Sequence, residues 1–288
     1  MARFYLFQLL NGLTTGALLF FVASGLSVIF GLMRILNLAH GALFLFGGFV
    51  GYSVQQATGN FLAAALAGML AAAALGTFIH QVFSRTLMGS PANQVLLTLG
   101  IAFVMNNALL AIWGGTPRSL PAPTILSASV TAGGLTYPSY RLFLIGFSLV
   151  AGALLWAFWE RSRLGAVVRA CVDDRQMAAA LGIRVDVVAA AVFAAGSALA
   201  GLAGVLGGPI LGVSIGLDFD ILLLAVVIMV VGGIGSLSGA LVASMLVGLV
   251  DAYGKALFPE ISYFTLFMPV ILILLIRPLG LFGRITPE

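Results

Sequence analysis

From Ile35 to Ser84 the chain places no Asp, Glu, Lys or Arg, and the same holds from Val187 to Leu217 and from Ile221 to Val250. A helix needs about 20 apolar residues to cross the hydrocarbon core of a bilayer, so each run holds at least one span. The rest of the chain agrees. It is 61% hydrophobic and 8% charged, whereas a soluble domain carries roughly 25% charged residues. A larger core does not make up that deficit, because a soluble protein still needs a wettable surface. The runs are continuously apolar and rich in Ala, Leu and Gly, without strict alternation, so helices and not a barrel are indicated.

The spans are expected near 5–31, 37–56, 61–83, 93–113, 141–159, 187–209, 220–232, 238–256 and 262–277. This is an all-α, polytopic membrane protein with about eight or nine spans. The first run is too long for a signal-peptide core and reads as a retained span. Residues 114–140, rich in Pro, Gly and Ser, read as a long extramembrane loop. Residues 160–186 hold nine charged residues and form the only strongly hydrophilic segment. With 160–186 in the cytoplasm, alternation places its five arginines inside, together with Arg34, Arg85, Arg277 and Arg284. Arg3, Arg118, Arg141 and Lys255 then lie outside. That asymmetry favours an external N-terminus and a cytoplasmic C-terminus. As a helix, 220–232 is only about 20 Å long, so a broken or re-entrant element is expected within 220–256. If it failed to cross, the parity on one side of it would flip. A faint echo between residues 40–52 and 238–253 is what an internal duplication would leave, although Gly, Ala and Leu are abundant enough to produce it by chance.

Several chemistries are disfavoured. One cysteine, Cys171, excludes an intramolecular disulfide. The net charge of +4 follows from cations in short loops, as membrane topology requires, and does not point to nucleic acid. "GGIGSLSG" has no lysine to meet a phosphate, so it is no ATP-binding loop. No cluster has metal-ligand spacing, and no cofactor is implied. His80 reads as an interfacial residue. Ser24 or Ser27 with His40 can be drawn as a hydrolase pair, but nothing in the spacing requires it. Every acid falls at a predicted helix end or loop, with Asp251 the nearest to an exception, which disfavours a proton-driven carrier.

Candidate path residues are few. In "RILNLAHG" (34–41) Asn37 suits an N-cap and Arg34 suits the end of the preceding helix. The stretch is either a tight connection at the cytoplasmic interface or a place where Asn37 and His40 face an aqueous lumen. Thr98, Asn106 and Asn107 lie within one span and must pair across helices or face water. In "GGIGSLSGA", Ser236 or Ser238 caps the next helix, and the glycines allow close approach. Residues 173–182, "DDRQMAAALG", spell a short helix, with Asp173 or Asp174 at its start and Gly182 at its end. It is either a plug for a partner or a helix lying on the lipid surface.

Three blocks, "GLSVIFGLMRILNLAHGALFLFGGFVGY", "RSRLGAVVRACVDDRQMAAALGI" and "AVVIMVVGGIGSLSGALVASMLVGLVDAY", resemble the inner-membrane permeases of branched-chain amino acid ABC transporters, the LivH type. "YRLFLIG" and "RPLGLFG" extend the resemblance over nearly the whole chain. The usual "NFAHG" block reads "NLAHG" here, at Asn37 to Gly41. The resemblance implies one transmembrane permease domain over 1–288 of a bacterial inner-membrane importer. Its solutes would be branched-chain amino acids or related small polar solutes. It implies a second homologous permease subunit, two ATPase subunits and a periplasmic substrate-binding protein as partners. It also implies an ATPase-coupling loop over Arg161, Arg163, Gly165, Arg169, Asp173, Asp174, Met177, Ala178, Ala179, Ala180, Leu181 and Gly182. The competing class is a self-sufficient channel or carrier.

Overall fold

The computed structural model describes residues 1–86, 91–132 and 134–283. Among these, eleven helices carry most of the chain: α1 (Ala2–Met33), α2 (His40–Thr58), α3 (Phe61–Thr86), α4 (Pro91–Trp113), α5 (Ser139–Arg161), α6 (Arg163–Asp173), α7 (Arg175–Ala180), α8 (Val185–Leu211), α9 (Leu217–Gly232), α10 (Leu237–Leu257) and α11 (Ser262–Ile276). Of the cations counted above, Arg284 and the side chain of Arg85 lie outside the described residues. Six helices, α1, α3, α4, α5, α8 and α10, are long and apolar enough to cross a membrane by themselves. The protein is a polytopic helical membrane protein. The remaining three of the nine expected spans are shorter helices, α2, α9 and α11, of 19, 16 and 15 residues.

Helix α1 is the axis of the bundle, with α10, α8, α9 and α5 packed around it. Lipid tails are as apolar as leucine, so helices in a membrane associate through close packing at small residues. A Cβ added to Gly16 would lie 2.6 Å from the Ser244 carbonyl oxygen of α10. A Cβ on Gly47 would lie 2.3 Å from the Gly201 Cα, where α2 crosses α8. The outer faces of α3, α4, α5 and α11 display Leu70, Val104, Leu154 and Leu275 as the hydrocarbon-facing surface.

The connection from α1 to α2 is not at the interface. Helix α1 has 32 residues, about 48 Å, and ends with Arg34 in a left-handed conformation (φ 56°). Residues 34–39 then fold back along the bundle. His40 Nε2 meets the Val22 carbonyl oxygen at 3.1 Å, and Val22 lies eleven residues, about 17 Å, before the end of α1. Helix α2 therefore starts inside the bundle. The interfacial-connection reading of "RILNLAHG" is corrected accordingly. The formal N-cap of α2 is Ala39, and Asn37 instead closes a local turn by accepting from the Ala39 amide at 3.1 Å.

Helix α9 starts the same way. After α8, Val213 pairs with Arg118 of the 114–138 loop, and Gly216 (φ 98°) turns the chain inward. A Cβ on Gly41 would lie 2.3 Å from the Asp218 carbonyl oxygen, so the first turns of α2 and α9 touch. From there α2 runs to the 114–138 end of the bundle, where Gln55 donates to the Pro121 carbonyl at 2.8 Å. Helix α9 runs to the opposite end. There the turn after it places the Gly235 amide 3.1 Å from Ser27 Oγ of α1. The short element expected at 220–232 is α9, of 16 residues, but the break lies before it, at 212–216, outside the expected 220–256, within which α10 runs continuously. The terminal "RPLGLFG" folds back, and the amides of Leu281 and Phe282 satisfy the last carbonyls of α9, at Val231 and Gly232.

Residues 114–140 are more ordered than a plain loop. They include an antiparallel hairpin, β1 (Ser129–Ala132) and β2 (Leu135–Pro138), turned at Gly134 (φ 74°). Val130 and Thr131 with Thr136 and Tyr137 supply the β-branched and aromatic pairs that such a ladder favours. At the other end, Ser162 caps α6 by accepting from the Gly165 amide, forming the corner between α5 and α6.

Candidate functional site

The contact between α2 and α9 gathers most of the polar residues placed in the path by sequence. Asn37, His40 and Thr98 are fully buried, Asn106 is nearly so, and Asp218 is 2% exposed. Thr98 Oγ1 lies 3.4 Å from the Leu36 carbonyl oxygen of the returning segment. Asn106 Nδ2 donates to Asp218 Oδ2 at 2.6 Å, tying α4 to the start of α9. A backbone carbonyl only accepts, so the bond to Val22 puts the ring hydrogen of His40 on Nε2 and leaves Nδ1 an acceptor. Four side-chain atoms here have no protein partner among the described residues: Asn37 Nδ2, His40 Nδ1, Asn106 Oδ1 and Asp218 Oδ1. Buried polar groups are nearly always bonded, so this concentration marks spare donor and acceptor capacity. Two helix starts meeting inside a bundle is the arrangement by which transporters expose polar backbone to a solute at depth. Asp218 in the first turn of α9 also complements the positive end of that helix.

Three candidates lie elsewhere. Asn107 is exposed on the outer side of α4 and donates to the Phe103 carbonyl one turn back at 2.8 Å, so it takes no part in the junction. Ser236 and Ser238 sit at the far end of α1, 3.2 Å apart. Ser236 caps α10 through the Gly239 amide at 3.0 Å, as expected of a cap. Both line a cavity of about 430 Å³ beside Arg34, Trp159 and Arg169. Asp218 was missed as an interior residue because it was read as a helix end. The signal was the length of α9: a helix of 16 residues spans about 24 Å. With its last turn at one surface, its first turn falls short of the other.

The 162–184 loop is a second, exposed feature. Asp174, not Asp173, is the N-cap of α7, accepting from the Met177 amide at 2.8 Å, while Asp173 ends α6. Gly182 takes φ 84°, the left-handed conformation expected past a helix end. Met177 and Leu181 are 57% and 75% exposed, and Ala179 and Ala180 are exposed with them. Ala178 is a correction. It is 2% exposed and packs with Cys171, Val185 and Ala189, so it anchors α7 to its own chain and presents no outer face. Gly165 and Arg169 are also structural. A Cβ on Gly165 would collide with the Trp159 carbonyl. Arg169 donates to the carbonyls of Trp159 and Glu160 and so caps the end of α5. Arg161 lies over the Trp156 ring at 5.7 Å, and Arg163 is exposed. Burial holds the Cys171 thiol above its ordinary value, with Arg175 pulling weakly the other way. Among the described residues no group of three or more His, Cys, Asp or Glu is placed to hold a metal.

A helical membrane bundle whose two interrupted passages meet at a buried polar junction is built as a transport permease. Residues 8–276 match the family described as branched-chain amino acid transport system, permease component, and the chain belongs to it. The high-affinity branched-chain amino acid transport system permease protein BraD of Pseudomonas aeruginosa is 31% identical, over 97% of this chain and 96% of that protein. The permease protein LivH of the corresponding Escherichia coli K12 system is 30% identical over 98% and 96%. Among solved structures, PsaBC from Streptococcus pneumoniae in complex with Fab covers 92% of this chain and 89% of its own at 14% identity, with a TM-score of 0.48. The molecule is therefore a membrane permease component of the branched-chain amino acid transport type.

Proposed function

We propose that this chain, as one transmembrane permease domain, carries branched-chain amino acids or related small polar solutes across a bacterial inner membrane. In this reading the solute passes the junction of Asn37, His40, Thr98, Asn106 and Asp218. Two separate ATPase subunits drive it, a second homologous permease completes the pathway, and a periplasmic binding protein delivers the solute. The N-terminus and the 114–140 loop face outward, and the 160–186 loop and the C-terminus face the cytoplasm. Contact with the ATPase falls to Met177, Ala179, Ala180 and Leu181, with Ala178, Gly165 and Arg169 holding the loop in shape. The observation that carries the reading is the buried junction, whose spare hydrogen-bonding atoms lie where two helices start inside an otherwise oily bundle.

The test is reconstitution into vesicles with and without the proposed partner subunits. ATP-dependent uptake of leucine or a related solute only in the presence of the partners is the expected result. Uptake by this chain alone, without ATP, would establish the self-sufficient carrier instead.

A further inference from the structure

The hairpin end of the bundle holds a second polar site, which none of the path candidates includes. A cavity of about 380 Å³ lies between α1, α5, α8 and α10, within the range of small-molecule sites. Its walls carry opposite charges on different helices: Arg141 on α5, and Asp251 with Lys255 on α10. Among the described residues Arg141 has no carboxylate partner. Its Nη1 donates to Asn11 Oδ1 at 2.7 Å, an oxygen that also accepts from the Tyr137 hydroxyl at 3.1 Å. That hydroxyl is held in turn by Thr14 at 3.0 Å. The bond to Asn11 fixes the guanidinium at the wall, and among the described residues its other donors have no partner. Asp251 has a side chain 13% exposed, and its partner Lys255, 2.8 Å away, is 65% exposed. The lysine is the exposed member of the pair, so an ammonium group entering the cavity can take its place beside Asp251. Ile210 adds an apolar surface to the same cavity.

An anchored guanidinium, a carboxyl group with a displaceable partner and an apolar wall around one small cavity match the free zwitterion of an aliphatic α-amino acid. We propose that this cavity is a mouth site for such a zwitterion. The Arg141 fork takes its carboxylate, Asp251 takes its ammonium in exchange for Lys255, and Ile210 contacts its side chain. The assignment rests on the permease reading and deepens it by separating a mouth site from the buried junction.

The test uses a Cys171→Ala, Thr15→Cys protein in vesicles with its partner subunits, labelled from the hairpin side by a membrane-impermeant thiol reagent. The probes are L-leucine, leucinamide, which lacks the carboxylate, and N-acetyl-leucine, which lacks the ammonium. L-leucine should slow labelling and the other two should not. Arg141→Gln should abolish the protection, and Arg141→Lys, which keeps the charge without the fork, should retain part of it. Insertion and retention of partner subunits are checked for each variant, so that a folding failure is recognised. Labelling that is unaffected by L-leucine, or slowed equally by all three probes, overturns the mouth site. If uptake is normal in the same vesicles, the permease reading survives that failure. Selective protection without any uptake would support the site and count against the permease reading.

Discussion

Asp174 and Asp218 both stand at helix starts, in different surroundings. At the start of α7, Asp174 is exposed and accepts a hydrogen bond from an amide three residues ahead. At the start of α9, Asp218 is 2% exposed, and its one bond reaches Asn106, 112 residues earlier in the chain. The first is a local cap that any short helix in water can use. The second ties α4 to the start of α9 inside the bundle, and one of its oxygens has no protein partner among the described residues. The difference separates a feature shaped by its own few residues from one that exists only when the bundle is assembled. A solute path needs the second kind, because it must offer polar atoms at depth. A docking helix needs the first kind, because it must keep its shape while its outer face meets a partner.

Substitutions sharpen the contrast, beginning with the most severe. Gly41→Val should be the worst. Its Cβ would fall on the backbone of Asp218, a position that cannot yield as a flexible side chain can, and overpacking costs about 1–3 kcal/mol or more. Loss of folded protein in detergent, read by size-exclusion chromatography and melting temperature, is expected. Asp218→Leu should come next. It leaves Asn106 without its acceptor, at about 1–3 kcal/mol for a stranded buried group. Asp218→Asn keeps a hydrogen-bonding carbonyl and should recover much of the melting temperature. If the junction lies on the path, neither variant restores uptake. Full uptake in Asp218→Leu would make the junction structural only.

In the α6–α7 loop, Ala178→Arg should disrupt the loop itself, because that side chain is packed inside. Ala179→Arg, one residue on and exposed, should leave stability within about 0.5 kcal/mol and still lose the ATPase subunits in a detergent pull-down. Arg175→Ala should do least. Its pair with Asp186 is exposed on both sides and contributes roughly 0–1 kcal/mol. Equal behaviour of Ala178→Arg and Ala179→Arg would break the distinction between the anchored face and the free one.

The α7 helix, its cap and its terminating Gly182 were all readable from ten consecutive residues, because the bonds that make them span three or four positions. The apolar helices, six of them long enough to cross a membrane, were readable for a similar reason: apolar length is a local property. Which side of α7 is buried was not readable, since Cys171, Val185 and Ala189 decide it from neighbouring helices. The interior position of "RILNLAHG" was hidden more deeply. Asn and His beside an Arg suit an interface, and only the contacts of His40 with Val22 and of Gly41 with Asp218 place the stretch inside. Asn107 shows the converse. It shares its span and residue type with Asn106, but the helical step to the next residue turns it outward.

The most direct measurement follows the reactivity of one cysteine in the returning segment during transport. In a Cys171→Ala background with all partner subunits present, Leu38→Cys should react slowly with a membrane-impermeant reagent in the resting complex. Its rate should change when ATP and solute are supplied together. Gln176→Cys, on the exposed loop, should react quickly from the loop side in the resting complex, and more slowly only where bound ATPase covers it. A Leu38→Cys that reacts freely at rest, or whose rate is unchanged by ATP and solute while uptake proceeds, would contradict a solute path through the junction of α2 and α9.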